Sequence, residues 1–379
     1  MFLGMTLWFS ATAATGAIAA EFRLTATNTA WLTMAVQGGF VLGTLFSAIL
    51  NLPDVLNPRR LMAVGCVAGA VANAALVRTA DPALIIALRV ATGVTLAWVY
   101  PPGMKVAAGW FDRHRGTALG ILIGALTVGS AFPHLLAAAS ARTSWRTLVL
   151  SASVLAICGA TIVLVAVGDG PYVSTSARFD PRAIVRVFAH RPARLATLAY
   201  LGHMWELYAV WTWIATFAAA SLHAGGGIFG GAPSSAEGSA LAFVAIASGA
   251  AGSAGAGLVA DRVGKARVAA AAMVVSGTCA TVAGFTFGHS IALLAALAIV
   301  WGISVVADSA QLSALVAEHS PRDHIGTALT IQTCSGFLLT MVSIRLVPIV
   351  ARSVGWQWAF LCVAPGPFLG AYALRRFNG

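Results

Sequence analysis

Long apolar runs alternate with short polar segments from one end of the chain to the other. They lie near residues 2–20, 29–50, 61–79, 83–105, 117–138, 147–167, 195–219, 239–260, 268–287, 290–316, 327–350 and 356–374. Each run approaches the roughly 20 residues of helix that cross a bilayer core. The pattern predicts an all-α membrane protein of about twelve transmembrane helices, with both chain ends on one side. The first run has no cationic segment before it, although its Ala-rich end is similar to a signal-peptide cleavage site. We read it as the first span, with almost no tail ahead of it.

Two polar segments are longer than the rest. The linker 168–194 divides the chain into an N-terminal six-helix half, 1–167, and a C-terminal six-helix half, 195–379. In this linker Asp180-Pro181 reads as an N-cap followed by a proline at the first helical position. Ile184, Val187 and Phe188 then share a face opposite Arg182, Arg186 and Arg191, which predicts a short amphipathic helix on the membrane surface. The second segment, 221–239, carries Gly225-Gly226-Gly227 and Gly230-Gly231 and reads as a flexible outer loop.

Composition sharpens the class. Of 379 residues, 59% are hydrophobic and only 9% charged, with mean hydropathy +0.86. Soluble domains carry about 25% charged residues. The net charge of +11 is no nucleic-acid signal, because the cations sit in loops and no basic patch is interleaved with aromatics. Of the 23 Lys and Arg residues, 16 fall in one set of alternating loops and 5 in the other, with Arg89 and Arg345 inside spans. That excess predicts both termini in the cytoplasm of a bacterial-type inner membrane. The five cysteines are scattered through apolar segments without CxxC spacing, so they form neither a disulfide framework nor a zinc site. No phosphate-binding loop, nucleophile–base arrangement or metal-ligand spacing occurs. An enzyme, a bound metal, a cofactor and ATP-driven pumping are therefore not expected.

One loop specifies more. Gly257-Leu258-Val259-Ala260-Asp261-Arg262-Val263-Gly264-Lys265-Ala266-Arg267 is a charged turn between two spans. It resembles the loop between the second and third helix of each half in the major facilitator superfamily, G-x-x-x-D-R-x-G-[RK]-x-[RK], and matches at every fixed position. The first half carries a degraded copy in which Asp54 precedes Arg60 by the spacing of Asp261 to Arg267. Gly116-Thr117-Ala118-Leu119 recurs as Gly326-Thr327-Ala328-Leu329, and Trp145 and Trp356 each open the following helix. The resemblance covers essentially the whole chain. It implies two six-helix repeats around a central cavity lined by helices one, four, seven and ten, and secondary transport by alternating access. It also implies a gate at the loops, built from Asp261, Arg262 and Lys265 in one half and Asp54 and Arg60 in the other, with Asp261 accepting from the amides of a neighbouring helix.

Charges inside spans are costly and so are functional candidates. Glu206 lies midway along helix seven and Asp308 in helix ten. Apolar surroundings penalise the charged form of a carboxyl, which makes Glu206 the first proton-coupling candidate and Asp308 the second. The alternative for Glu206 is an ion pair with an arginine that fixes packing. Arg89 opens Arg89-Val90-Ala91-Thr92-Gly93, which is similar to the superfamily's helix-four R-x-x-x-G pattern. Arg345 has no motif behind it; its guanidinium could clamp a carboxylate or snorkel to the outer head groups. His203 and His134 are relay or packing histidines. Trp205 and Tyr208, at i and i+3 beside Glu206, are expected to stack on a flat ligand, while Trp211 and Trp213 are assigned to the outer interface belt. Gln311 and Gln332 are candidate substrate contacts. Pro101 and Pro102 are expected to break helix four as a gate hinge, and Pro133 and Pro365-Gly366-Pro367 to kink helices five and twelve.

The expected function is proton-coupled transport of a small organic molecule. Its partners are substrate, protons and the bilayer, and the chain is expected to act as a monomer. Arg89, Arg345 and Lys105 favour an anion, and Trp110-Phe111-Asp112-Arg113-His114-Arg115-Gly116 is similar to the loop of nitrate and organic-anion branches. A drug/proton antiporter is the alternative, although Phe132-Pro133-His134-Leu135 departs from that branch's fifth-helix G-P-x-x-G-G signature. A membrane assembly factor or sensor that kept the fold is a third class.

Overall fold

The computed structural model describes residues 1–111, 115–139, 144–172, 179–181, 188–225, 235–321 and 324–377, and every regular element among them is a helix. The first apolar run divides into α1 (Phe2–Met5) and α2 (Thr15–Phe22), joined by turns. Then follow α3 (Ala26–Ile49), the short α4 (Leu52–Val55) and α5 (Pro58–Ala75). Next are α6 (Pro82–Leu96), α7 (Tyr100–Trp110), α8 (Arg115–Ala139) and α9 (Trp145–Ala166). The second set begins with α10 (Arg191–Ala224), α11 (Ser235–Val263), α12 (Lys265–Thr286) and α13 (Ile291–Ala307). It ends with α14 (Ser309–His319), α15 (Ile325–Val354), a 3₁₀ segment Trp356–Cys362 and α16 (Pro365–Arg375).

Local chemistry sets the helix starts. The Thr25 hydroxyl accepts from the Asn28 amide at the start of α3, Asn57 accepts from the amides of Arg59 and Arg60 at α5, and Asp81 accepts from Ala83 at α6. Such caps satisfy amides that have no partner inside the helix. The fourth predicted span breaks at residues 97–99, with Pro101 and Pro102 seated in the first turn of α7, where a missing N–H costs nothing. The tenth breaks at the corresponding place, Asp308.

Among the described residues nine helices are long and apolar enough to cross a membrane. The remaining segments join the same bundle: α1 lies on α8 and α9, α10 on α15 and α16, and the 3₁₀ segment on α15. The predicted count of twelve rests on these three.

Each set of helices is drawn tight at the same joint, the second helix on the fourth. A Cβ on Gly93 would sit 2.1 Å from the Val36 carbonyl oxygen, and one on Gly302 1.7 Å from that of Ala245, so only glycine permits these approaches. The two sets meet along α3–α15 and α8–α11. At the end of the bundle that carries both termini, Arg59 and Asn57 grip Asp169 at 2.7 Å and 3.0 Å, and the adjacent guanidinium holds the Asp169 carboxyl below the usual carboxylate range. At the opposite end Arg146 and Trp145 hold Glu21, which is lowered in the same way, first by the Arg146 hydrogen bond. The amphipathic linker helix expected over Arg182, Ile184, Arg186 and Val187 lies outside the described residues. So do the glycine loop 226–231, Asp112–His114 and Arg322–Asp323.

Candidate functional site

Aromatic rings fill the seam between the two sets. Trp8 lies 5.6 Å from Tyr208 and 5.6 Å from Phe337, Phe9 lies 6.2 Å from Tyr208 and 5.9 Å from Trp211, and Phe40 lies 4.6 Å from Phe337. Every one of these pairs joins a residue before the linker to one after it. Several buried side chains of the bundle carry polar atoms without a hydrogen-bond partner among the described residues. Among them are the indole nitrogens of Trp8 and Trp211, both imidazole nitrogens of His134, and both amide atoms of Gln37 and Gln332. All five side chains are buried. His134 packs against Phe9 at 6.4 Å, and Gln37 lies one turn from Phe40. An unmet buried donor or acceptor costs about 1–3 kcal/mol, so these groups are candidates for hydrogen bonds to solvent or solute.

Tyr208 lies among the seam rings, and Gln332 is buried in α15. Trp205 lies elsewhere: its indole nitrogen donates to the Cys362 carbonyl at 3.0 Å, and the ring lines an outward groove against α16. Tyr208 and Trp205 point to different neighbours. Trp211 and Trp213 are buried rather than in an interface belt, Trp211 in the seam and Trp213 donating to the Ile344 carbonyl at 2.8 Å. Gln37, Trp8 and Trp211 were not singled out as ligand contacts from sequence. Their signal, a polar group in an apolar run, is shared by many packing residues.

Arg89 is fully buried and committed to the protein. Its Nε donates to Leu32 O at 3.0 Å, Nη1 to Leu7 O and Asn73 Oδ1 at 3.2 Å, and Nη2 to Trp8 O at 2.5 Å. Leu7 and Trp8 stand where the first span loses its helix, so the guanidinium meets carbonyls that the broken helix leaves open. Asn73 continues the network, accepting from Ser10 at 2.7 Å and donating to Val149 O and Ser153 at 3.0 Å.

Glu206 occupies the equivalent interior of the second set. It accepts from Ser276 Oγ and Trp301 Nε1, each at 2.8 Å, so its partners among the described residues are neutral donors rather than an arginine. Asp308 stands at the break between α13 and α14, 2.8 Å from His203 Nδ1, and both side chains are buried. The Tyr200 ring lies 5.9 Å from His203, and Tyr200 shares a hydrogen bond with Thr333. The structure therefore pairs two residues, His203 and Asp308, that the sequence reading kept apart. Gln311 is buried one turn beyond Asp308. Arg345 is half-buried in the outer part of α15.

The loops behave unequally. Gly264 takes φ +95° and starts α12, as the motif requires. Asp261 and Arg262 are exposed, and no described residue meets Asp261; Lys265 instead pairs with Glu318 at 2.5 Å. In the degraded copy Asp54 is nearly buried and ion-paired with Lys105, whose ammonium also reaches Pro53 O at 2.9 Å. Arg60 is exposed, and its neighbour Arg59 makes the contact to the linker. Beside the Asp54–Lys105 pair is a cavity of about 150 Å³, lined among others by Thr44, Asn51, Pro101, Phe179 and Thr330.

A broken, glycine-tight bundle with unmet polar groups on its internal seam is the anatomy of a membrane carrier. The family comparison agrees: residues 1–253 match the model of the Major Facilitator Superfamily, and the chain belongs to that family. It is a multi-pass membrane transporter and not an enzyme. The fold is similar to the crystal structure of the nucleoside transporter NupG, with TM-score 0.75 and 14% identity over 100% of this chain and 98% of that one. No curated protein matches the chain in sequence.

Proposed function

We propose that the protein is a proton-coupled secondary transporter of a small, planar, largely uncharged solute, moved by rocking of the two six-helix halves about their seam. The observation that carries this reading is the seam itself. Its open groups are amide, indole and imidazole, all neutral hydrogen-bonding groups, and they sit among rings suited to stacking. A nucleobase or a similar heterocycle has that chemistry. An organic anion is the second reading; with the donors of Arg89 spent on carbonyls, it rests on Arg345. The His203–Asp308 pair supports coupling, because one proton can bridge the pair and the pair sits at a helix break beside Tyr200. The cation excess supports an inner-membrane protein with both termini in the cytoplasm.

The test begins with a thermal-shift screen of nucleobases, nucleosides, aromatic amides and aromatic carboxylates on purified protein. Binding to the native state at 100 times Kd adds about 2.7 kcal/mol of stability. Hits are then applied to proteoliposomes under an imposed pH gradient. Uncharged planar hits that accumulate with the gradient are expected. Hits confined to the carboxylates, or uptake indifferent to the gradient, would contradict the reading.

A further inference from the structure

A cavity of about 610 Å³ lies away from the seam. It is a groove on the outside of the second set of helices, where α10 meets α16. Leu195, Leu198, Leu201, Leu339 and Leu369 give it an apolar floor and walls, and Trp205 and Cys362 close its deep end. The last span opens the groove because it is not one helix. A 3₁₀ segment ends at Cys362, and α16 restarts at Pro365, held by the Trp205–Cys362 hydrogen bond. The groove runs from mid-bundle to the termini-bearing end. There its last lining residue is Arg376, stacked over the Tyr372 ring at 4.6 Å. Arg191 donates to the Arg376 carbonyl at 3.3 Å, and both guanidinium-bearing residues are exposed. No carboxylate lines the groove, and no described carboxylate pairs with either arginine.

We infer that this groove is a binding site for an anionic phospholipid, with one acyl chain along α10 and α16 and the phosphate on Arg376 and Arg191. Charge complementarity selects the occupant. A long apolar slot ending in two exposed arginines that no described carboxylate meets fits one chain and one phosphodiester, and its volume lies in the range of specific ligand sites. A free anion would leave the apolar walls empty, and a zwitterionic lipid would set its own cation against the arginines. The site is separate from the transport seam and does not depend on which solute is carried.

The experiment uses purified full-length protein in detergent. Phosphatidylglycerol and phosphatidylcholine of identical acyl chains are titrated, with bound lipid counted by native mass spectrometry and the melting temperature followed. Wild type should hold one phosphatidylglycerol in preference to phosphatidylcholine and melt higher with it. The double variant Arg191→Ala/Arg376→Ala should lose the preference, by roughly fivefold for each arginine removed, while still taking up either lipid weakly. Leu198→Trp, at a half-exposed wall position, should fill the slot and lower binding of both lipids; Leu369→Trp does the same at a second exposed position if the first variant is not monodisperse. Equal affinity of wild type for the two lipids, or an unchanged preference in the double arginine variant, would overturn the assignment.

Discussion

Arg89→Gln tests whether the buried guanidinium serves the fold or the solute. Four contacts within 3.2 Å disappear, to Leu32 O, Leu7 O, Asn73 Oδ1 and Trp8 O. Hydrogen bonds between helices in a membrane average about 0.6 kcal/mol and reach about 1.7. Four of them, some charge-assisted, give about 2–4 kcal/mol of lost stability. Ser10 still reaches Leu7 O and Asn73 Oδ1, and removing a buried charge relieves its desolvation, so the lower end is expected. Arg89→Lys should lose nearly as much, because one ammonium cannot reach carbonyls from two helices at once. Reversible unfolding in mixed micelles gives the stability, and counterflow in proteoliposomes gives the apparent solute affinity. Both variants should unfold more easily, and the surviving folded fraction should bind solute within about threefold of wild type, a difference under 1 kcal/mol. Wild-type stability with affinity reduced tenfold or more would refute the clamp and return Arg89 to the solute.

Three further outcomes follow from the same contacts. Glu206→Gln can still accept from Trp301 and meet Ser276, whose hydroxyl rotates, so it should cost less than about 1 kcal/mol and retain gradient-driven uptake; loss of uptake with exchange preserved would move coupling to Glu206. Asp54→Asn removes the partner of Lys105 beside the 150 Å³ cavity and should change turnover several-fold, whereas Asp261→Asn, at an exposed carboxylate, should leave turnover in the same assay near wild type. Gly302→Ala forces a methyl against the Ala245 carbonyl and should lower stability by about 1–3 kcal/mol on a melting curve, as overpacking does.

Much of the bundle is legible because hydropathy acts at the scale of whole helices. The seam is less so. Position along a run says how deep a residue lies, not which neighbour it faces. Trp205 and Tyr208 are three residues apart, yet one reaches α16 and the other Trp8. For Glu206 the sequence offers a proton carrier or an arginine's partner, whereas Ser276 and Trp301, from two other helices, enclose it. The pairing of His203 with Asp308 spans more than a hundred residues and depends on the break in the tenth span, where no proline or glycine adjoins Asp308. The gate loop misled differently. The intact motif copy signals ancestry, but the degraded copy keeps its acid in a nearly buried ion pair, because Lys105 on α7 is there to meet it.

In the proposed mechanism a proton on the His203–Asp308 pair couples solute movement to the gradient. Asp308→Asn tests it most directly, since the amide keeps the shape of the site and cannot exchange a proton. With a solute identified by the thermal-shift screen, wild type and variant are compared in the same proteoliposomes, once with equal solute on both sides and once under an imposed pH gradient. The variant should exchange labelled solute at a rate near wild type and accumulate none. A variant that accumulates solute as wild type does would contradict the mechanism.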